Sequence, residues 1–163
     1  MRIATSVELV GNPDDVFEMR ITEEFQNAKC AASRALSYTV AISERGDRTI
    51  IQTSRVMSTQ GFPETARSIV GTELTINETQ DWGPPGADGS YVAKLTADIT
   101  GVPMSMTGSV RVDPTETGSR QILEADLKAN IPLIGGKIEK LAMPVVEAGF
   151  DVEALILSEW LFD

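Results

Sequence analysis

Apolar and polar residues alternate over residues 3–10, with Ile3, Thr5, Val7 and Leu9 on one side of the chain and Ala4, Ser6, Glu8 and Val10 on the other. The pattern predicts a strand whose odd-numbered face is buried. Gly11-Asn12-Pro13 ends it. Asn12 suits an N-cap, Pro13 suits the first helical position, and Asp14 and Asp15 complement the positive end of a helix dipole. A short helix carrying Val16, Phe17 and Met19 is predicted there. A second follows, capped by Thr22 and spanning 23–34, with Phe25, Ala28, Ala32 and Cys30 towards its buried side. Alternation returns at Leu36, Tyr38, Val40 and Ile42, and after the turn Glu44-Arg45-Gly46-Asp47 a β-branched run over 48–58 completes a hairpin.

Residues 62–67 read as a connector with about one turn of helix, and 73–82 as another strand, with Leu74, Ile76 and Trp82 on one face. Gly83-Pro84-Pro85-Gly86 opens a turn cluster that breaks regular structure. Three further strands are predicted over 91–100, 104–112 and 121–131. Beyond Pro132 the period changes from two to 3.6 and predicts a long helix over roughly 137–161. Ile138, Leu141, Val145, Gly149, Val152, Ile156 and Trp160 make one stripe, taken as its core face, with Lys140, Glu147, Asp151 and Ser158 opposite. Pro144 predicts a kink, or a helix that starts there. The order of elements predicts an α+β fold: a curved antiparallel sheet of six or seven strands around a long C-terminal helix, with two short helices after the first strand.

Composition narrows the function classes. The 163 residues suffice for a core without disulfides or metals and are read as one domain, 1–163. A net charge of −10 argues against nucleic acid and anionic membranes as partners. With no histidine, His triads, His metal sites and His pH switches are excluded. The lone Cys30 can form neither an internal disulfide nor a thiolate zinc site. No signal peptide or membrane-spanning run is read in the chain, so stable membrane insertion is not expected and a cytoplasmic location is.

Few motifs carry chemistry. Gly135-Gly136-Lys137 lacks the upstream glycine and the following Ser or Thr of a phosphate loop, and reads as a tight turn into the helix. Asp14, Asp15, Glu18, Glu23 and Glu24 sit in or near first helical turns, which explains them without a metal; no cofactor is expected. Lys29 and Arg34 near Cys30 would activate an exposed thiol, but the helix pattern buries it. Glu153 lies about 60° from the centre of the chosen stripe, where a carboxylate can pair with Arg or meet a polar ligand group. The plainer reading makes it a flank residue reaching solvent.

Several stretches carry a resemblance over nearly the whole chain: Phe62-Pro63-Glu64-Thr65, the strand ending in Trp82, Gly101-Val102-Pro103, Ile131-Pro132-Leu133-Ile134-Gly135-Gly136-Lys137-Ile138-Glu139 and Glu159-Trp160-Leu161. With the order of elements, they resemble the START-like superfamily, the helix-grip fold of polyketide cyclases and birch-pollen-like allergens. Within it they are similar to an uncharacterised actinobacterial family filed as a domain of unknown function. The resemblance implies a cavity for a hydrophobic small molecule or lipid between sheet and C-terminal helix. Expected walls are Trp82, Tyr91, Met104, Met106, Val145, Gly149 and Val152. No catalytic residue carries over. The alternative is a cyclase or aromatase using Tyr38, Tyr91 or Glu153 for acid–base work; a third reading is an interaction protein with a filled core.

The helix wheel raises one more expectation. Met143, Phe150 and Leu157 recur every seven residues, with Ala154 and Leu161 close by, as a second apolar ridge. If the first stripe faces the sheet, this ridge needs a cover: a loop, the N-terminal helices, or a second copy of the chain in a homodimer that buries Phe150.

Overall fold

The computed structural model describes residues 1–162, and its elements follow the expected order. Strand β1 (Arg2–Leu9) leads into helices α1 (Pro13–Arg20) and α2 (Glu23–Ala32). Strands β2 (Ser37–Arg45) and β3 (Arg48–Ser58), helix α3 (Glu64–Val70), and strands β4 (Glu73–Trp82), β5 (Tyr91–Ile99), β6 (Val102–Pro114) and β7 (Ser119–Ala129) follow, and helix α4 (Gly135–Phe162) ends the described chain. The strands form one seven-stranded antiparallel sheet in the order β1-β7-β6-β5-β4-β3-β2. This is the helix-grip arrangement expected from the sequence.

The two short helices form because their caps are written locally. Asn12 Oδ1 accepts from the Asp15 amide at 2.9 Å. Thr22 Oγ1 accepts from the Phe25 amide at 3.2 Å and donates to the Met19 carbonyl at 2.8 Å. One side chain thus starts α2 and ties off α1. The corner points the last residue of α1, Arg20, into the interior, where it is wholly buried.

Cross-strand register places Ala93, Leu95, Val110, Val112, Leu123, Ala125 and Leu127 in one buried layer on the concave face. At Gly108 β6 lies so close to β7 that an added Cβ would lie 2.1 Å from the Glu124 carbonyl oxygen. Only glycine permits that approach.

Helix α4 packs against β7 and β1 on the sheet side and against α1 and α2. It begins at Gly135, two residues before the predicted start, and runs through Pro144. A Cβ on Gly135 would stand 2.3 Å from the Ala129 carbonyl oxygen, so glycine lets the helix begin against the end of β7. Pro144 neither starts nor stops the helix; its missing N–H and bulky ring fall on an exposed turn.

The face that α4 turns inward corrects the sequence reading. Phe150, Ala154 and Leu157 are buried, Leu157 completely, and Met143, Val146 and Leu161 pack against the same core. Val145 is 56% exposed, Leu141 and Gly149 are exposed, and Val152 is half-buried. The ridge expected to need a cover is therefore the core face, packed within the chain, and Phe150 needs no second copy to bury it. Apolar residues cover an arc of roughly 200° around α4, so periodicity located the arc but not which edge meets the sheet. Phe150→Ala should cost about 3–5 kcal/mol of stability by urea denaturation. Val145→Ala should stay within about 0.5 kcal/mol.

Candidate functional site

On β4 the concave face is read by alternate residues, so Glu78, Gln80 and Trp82 point inward in line with Leu74 and Ile76. These polar groups form a chain of hydrogen bonds. Trp82 Nε1 donates to Gln80 Oε1 at 2.9 Å, and Gln80 Nε2 donates to Glu78 Oε1 at 2.8 Å. From α2, Lys29 Nζ donates to Glu78 Oε1 at 3.4 Å and to Glu153 Oε2 on α4 at 2.9 Å. Arg20 Nη1 donates to Glu153 Oε1 at 2.7 Å, its Nη2 donates to Gln121 Oε1 on β7, and Gln121 Nε2 donates to Glu153 Oε1 at 3.2 Å. The Arg20 guanidinium also lies 4.8 Å from the Trp82 ring centre. From β3, Arg55 Nη2 approaches Glu78 Oε2 at 3.9 Å.

Burial alone would raise the pKa of the Glu153 carboxyl, but Arg20 and Lys29 outweigh it and hold the group well below the usual carboxylate range. Glu78 follows the same balance, lowered by Lys29 and Arg55 against desolvation. Lys29, which burial alone would discharge, is kept protonated above its ordinary value by Glu153 and Glu78. The cluster is thus a set of fixed charges. Burial lifts the Tyr91 phenol to about 12, and donation to Asp14 Oδ1 at 2.6 Å adds to the effect. The Tyr91 ring is stacked on Phe17 with centroids 4.5 Å apart. Cys30 is buried, and desolvation pushes its thiol up, as an inert cysteine requires.

Beside the charges, apolar residues on the concave face and on α4 are left partly open, and we refer to them together as the apolar strip. Ala97, Ile99 and Val102 from the sheet, and Ala142, Met143 and Val146 from α4, are only half-buried while packing against the core. Met104, Met106 and Phe150 are buried close by. Register joins the two regions, because Ala97 stands directly across from Glu78 on β4 and from Met106 on β6. Two open depressions lie elsewhere: one is lined by residues including Lys128, Leu133, Gly136 and Glu139 at the start of α4, the other by Val10, Ser158, Glu159 and Phe162.

Four expected wall residues, Trp82, Tyr91, Met104 and Met106, lie on the concave side. Trp82 and Tyr91 sit at the end closed by α1, and the methionines sit beside the unsealed strip. Val145 and Gly149 are on the outer side of α4, where nothing lies within 4 Å of a Cβ built on Gly149, and Val152 sits at the helix edge. They do not meet the other four, because the buried face of α4 lies to one side of the predicted stripe, of which Ile138 and Ile156 still pack inward. Glu153, read most simply as a solvent-reaching flank, is the buried centre of the cluster. Tyr38 is partly exposed on edge strand β2.

Sequence reasoning missed Arg20, Lys29, Arg55, Glu78, Gln80 and Gln121. A signal existed: if Leu74, Ile76 and Trp82 share the buried face of a strand, Glu78 and Gln80 must share it too. Among the described residues no group of three or more Cys, Asp or Glu is placed to hold a metal ion. No described helix is long and apolar enough to cross a membrane. Because Glu153 has a lower pKa folded than its ordinary 4.5, its stabilisation is full above that value and is lost as pH falls below it. Urea denaturation across a pH series should show stability falling below about pH 4.5, with a shallower fall and a lower plateau at neutral pH in Glu153→Gln. Parallel pH profiles for the two proteins would contradict the assignment.

The chain belongs to the family described as "Protein of unknown function (DUF2505)", which matches residues 4–161. An uncharacterized protein of Mycobacterium tuberculosis strain H37Rv is 25% identical over 113 residues, covering 68% of this chain and 64% of that protein. The match therefore spans less than two thirds of the relative's length. Among solved structures, the Zhui aromatase/cyclase from Streptomyces sp. R1128 superposes with a TM-score of 0.64 at 13% identity, covering 98% of this chain and 92% of that one. A STAR-related lipid transfer protein from Xanthomonas axonopodis gives a TM-score of 0.59 at 15% identity, covering 99% and 86%. At these identities the structures share the fold.

Proposed function

We propose that this DUF2505 member binds a hydrophobic small molecule or lipid between the concave face of the sheet and the N-terminal half of α4. The observation that carries this reading is the unsealed apolar strip. Ala97, Ile99 and Val102 face the same interior as Met143 and Val146, yet all five remain partly open to solvent. A finished core would close over such residues, whereas a binding cleft leaves them for a ligand to cover. Met104, Met106 and Met143 add adaptable side chains at that end. Trp82 and Tyr91 contribute by closing the far end of the interior. The aromatase/cyclase and lipid transfer proteins of the same fold support hydrophobic ligand binding in general terms.

Binding without catalysis is the reading we favour over a cyclase or aromatase. Acid–base work near neutral pH needs a group poised to exchange a proton. Glu78 and Glu153 are held ionised, and Tyr91 is held protonated with its hydroxyl engaged by Asp14. Tyr38 stands on the edge strand.

Uptake of an apolar fluorophore by the purified protein tests the site. Ala97→Phe, which fills the floor of the strip, should weaken uptake about tenfold or more while the far-ultraviolet circular dichroism stays native. Gly149→Leu, on the outer side of α4, should bind like the wild type. Undiminished binding by a folded Ala97→Phe protein, or loss confined to Gly149→Leu, would move the site elsewhere.

A further inference from the structure

The charges at the inner edge of the strip do not balance. Arg20, Lys29 and Arg55 supply three cations, and Glu78 and Glu153 supply two carboxylates. Two of the cations are held by hydrogen bonds: Arg20 by Glu153 and Gln121 through its two Nη atoms, its Nε alone lacking a partner, and Lys29 by Glu153 and Glu78. Arg55 is different. Its Nε is buried without a partner, and its Nη2 only approaches Glu78 at 3.9 Å, longer than a hydrogen bond, so its guanidinium has no hydrogen bond to an acceptor among the described residues. Neighbouring Thr53 on the same strand face also has a buried hydroxyl without a partner. A guanidinium taken largely out of water without acceptors is costly, and an anion removes that cost.

Register fixes where that anion would sit. Arg55 stands opposite Ile76 on β4, which stands opposite Ile99 on β5, while Thr53 stands opposite Glu78 and Glu78 opposite Ala97. The unsatisfied guanidinium therefore borders the half-buried apolar floor. Its side chain remains 16% exposed, the most accessible of the cluster's cations, so it is the one a ligand can reach. Glu78 would repel an incoming anion, but its carboxylate is already engaged by Lys29 and Gln80.

Resting on the binding reading above, we infer that the ligand is a long-chain monocarboxylate, its carboxylate docked on Arg55 and its chain laid along Ala97, Ile99, Met106 and Met143. One negative charge neutralises the cluster; a dianion would exceed it. The planar guanidinium offers paired donors that match a carboxylate.

The test compares dodecanoate, dodecanol and dodecyl phosphate as competitors for a bound apolar fluorophore. They are measured below their micellar concentrations on wild type, Arg55→Gln and Arg55→Lys. Wild type should bind dodecanoate roughly tenfold or more tightly than dodecanol. Arg55→Gln should bring that ratio to about one by weakening the acid alone, and Arg55→Lys should fall between. Arg55 makes no hydrogen bond that holds the fold, so both variants should melt near the wild type. Equal wild-type affinity for acid and alcohol, or an acid preference retained in folded Arg55→Gln, would overturn the anion site while leaving the hydrophobic cleft standing. Tighter binding of dodecyl phosphate than of dodecanoate would overturn the monocarboxylate assignment. Failure of all three to compete would remove both the inference and the reading beneath it.

Discussion

The carboxylate of Glu153 is the point on which the interior depends. It receives Arg20 from α1, Lys29 from α2 and Gln121 from β7, so four elements from the two ends of the chain meet at one buried charge. Desolvating such charges is expensive, and only close pairing makes their burial tolerable. The geometry that satisfies Glu153 therefore also fixes which face of α4 turns inward and how the two short helices lie under it. It holds α4 over β7 and β1, away from the β2 edge of the sheet. The apolar strip along Ala97, Ile99, Met143 and Val146 is a consequence of that placement.

Much of the fold could be read from local rules. Asn12 and Thr22 announced the two short helices, alternation announced the strands, and the change of period after Pro132 announced α4. The site was harder, for two physical reasons. The apolar arc of α4 is too wide to say which edge is core, and that ambiguity exchanged Phe150 for Val145. The pairing of Glu153 with Arg20 and Lys29 is tertiary, and no local pattern joins those positions. Glu78 and Gln80 were within reach, since both alternate with apolar residues on a face already assigned as buried. A charge on such a face is a sign of an interior partner.

The interior combines a set of fixed charges with an unsealed apolar strip, and the two have different work. Arg20, Lys29, Glu78 and Glu153 hold the helices on the sheet and offer no group ready to exchange a proton near neutral pH. The strip offers apolar surface with little to hold a polar group, except where Arg55 borders it. Such an arrangement suits holding and orienting a molecule more than transforming it. Arg20 against Trp82 and Tyr91 against Phe17 close the far end with packed rings. On the proposed reading, a ligand would occupy the half of the interior lined by the methionines.

The central claim is that Glu153 and its cations act as one coupled unit, and a double-mutant cycle on Arg20 and Glu153 tests it most directly. Unfolding free energies would be measured for wild type, Arg20→Met, Glu153→Met and the double variant at neutral pH. Each single change removes one partner of a buried charge and should cost about 3–5 kcal/mol, while the double change should cost less than their sum by about 2 kcal/mol or more. Additive costs, agreeing within about 0.5 kcal/mol, would show that the pair is not the constraint that places α4.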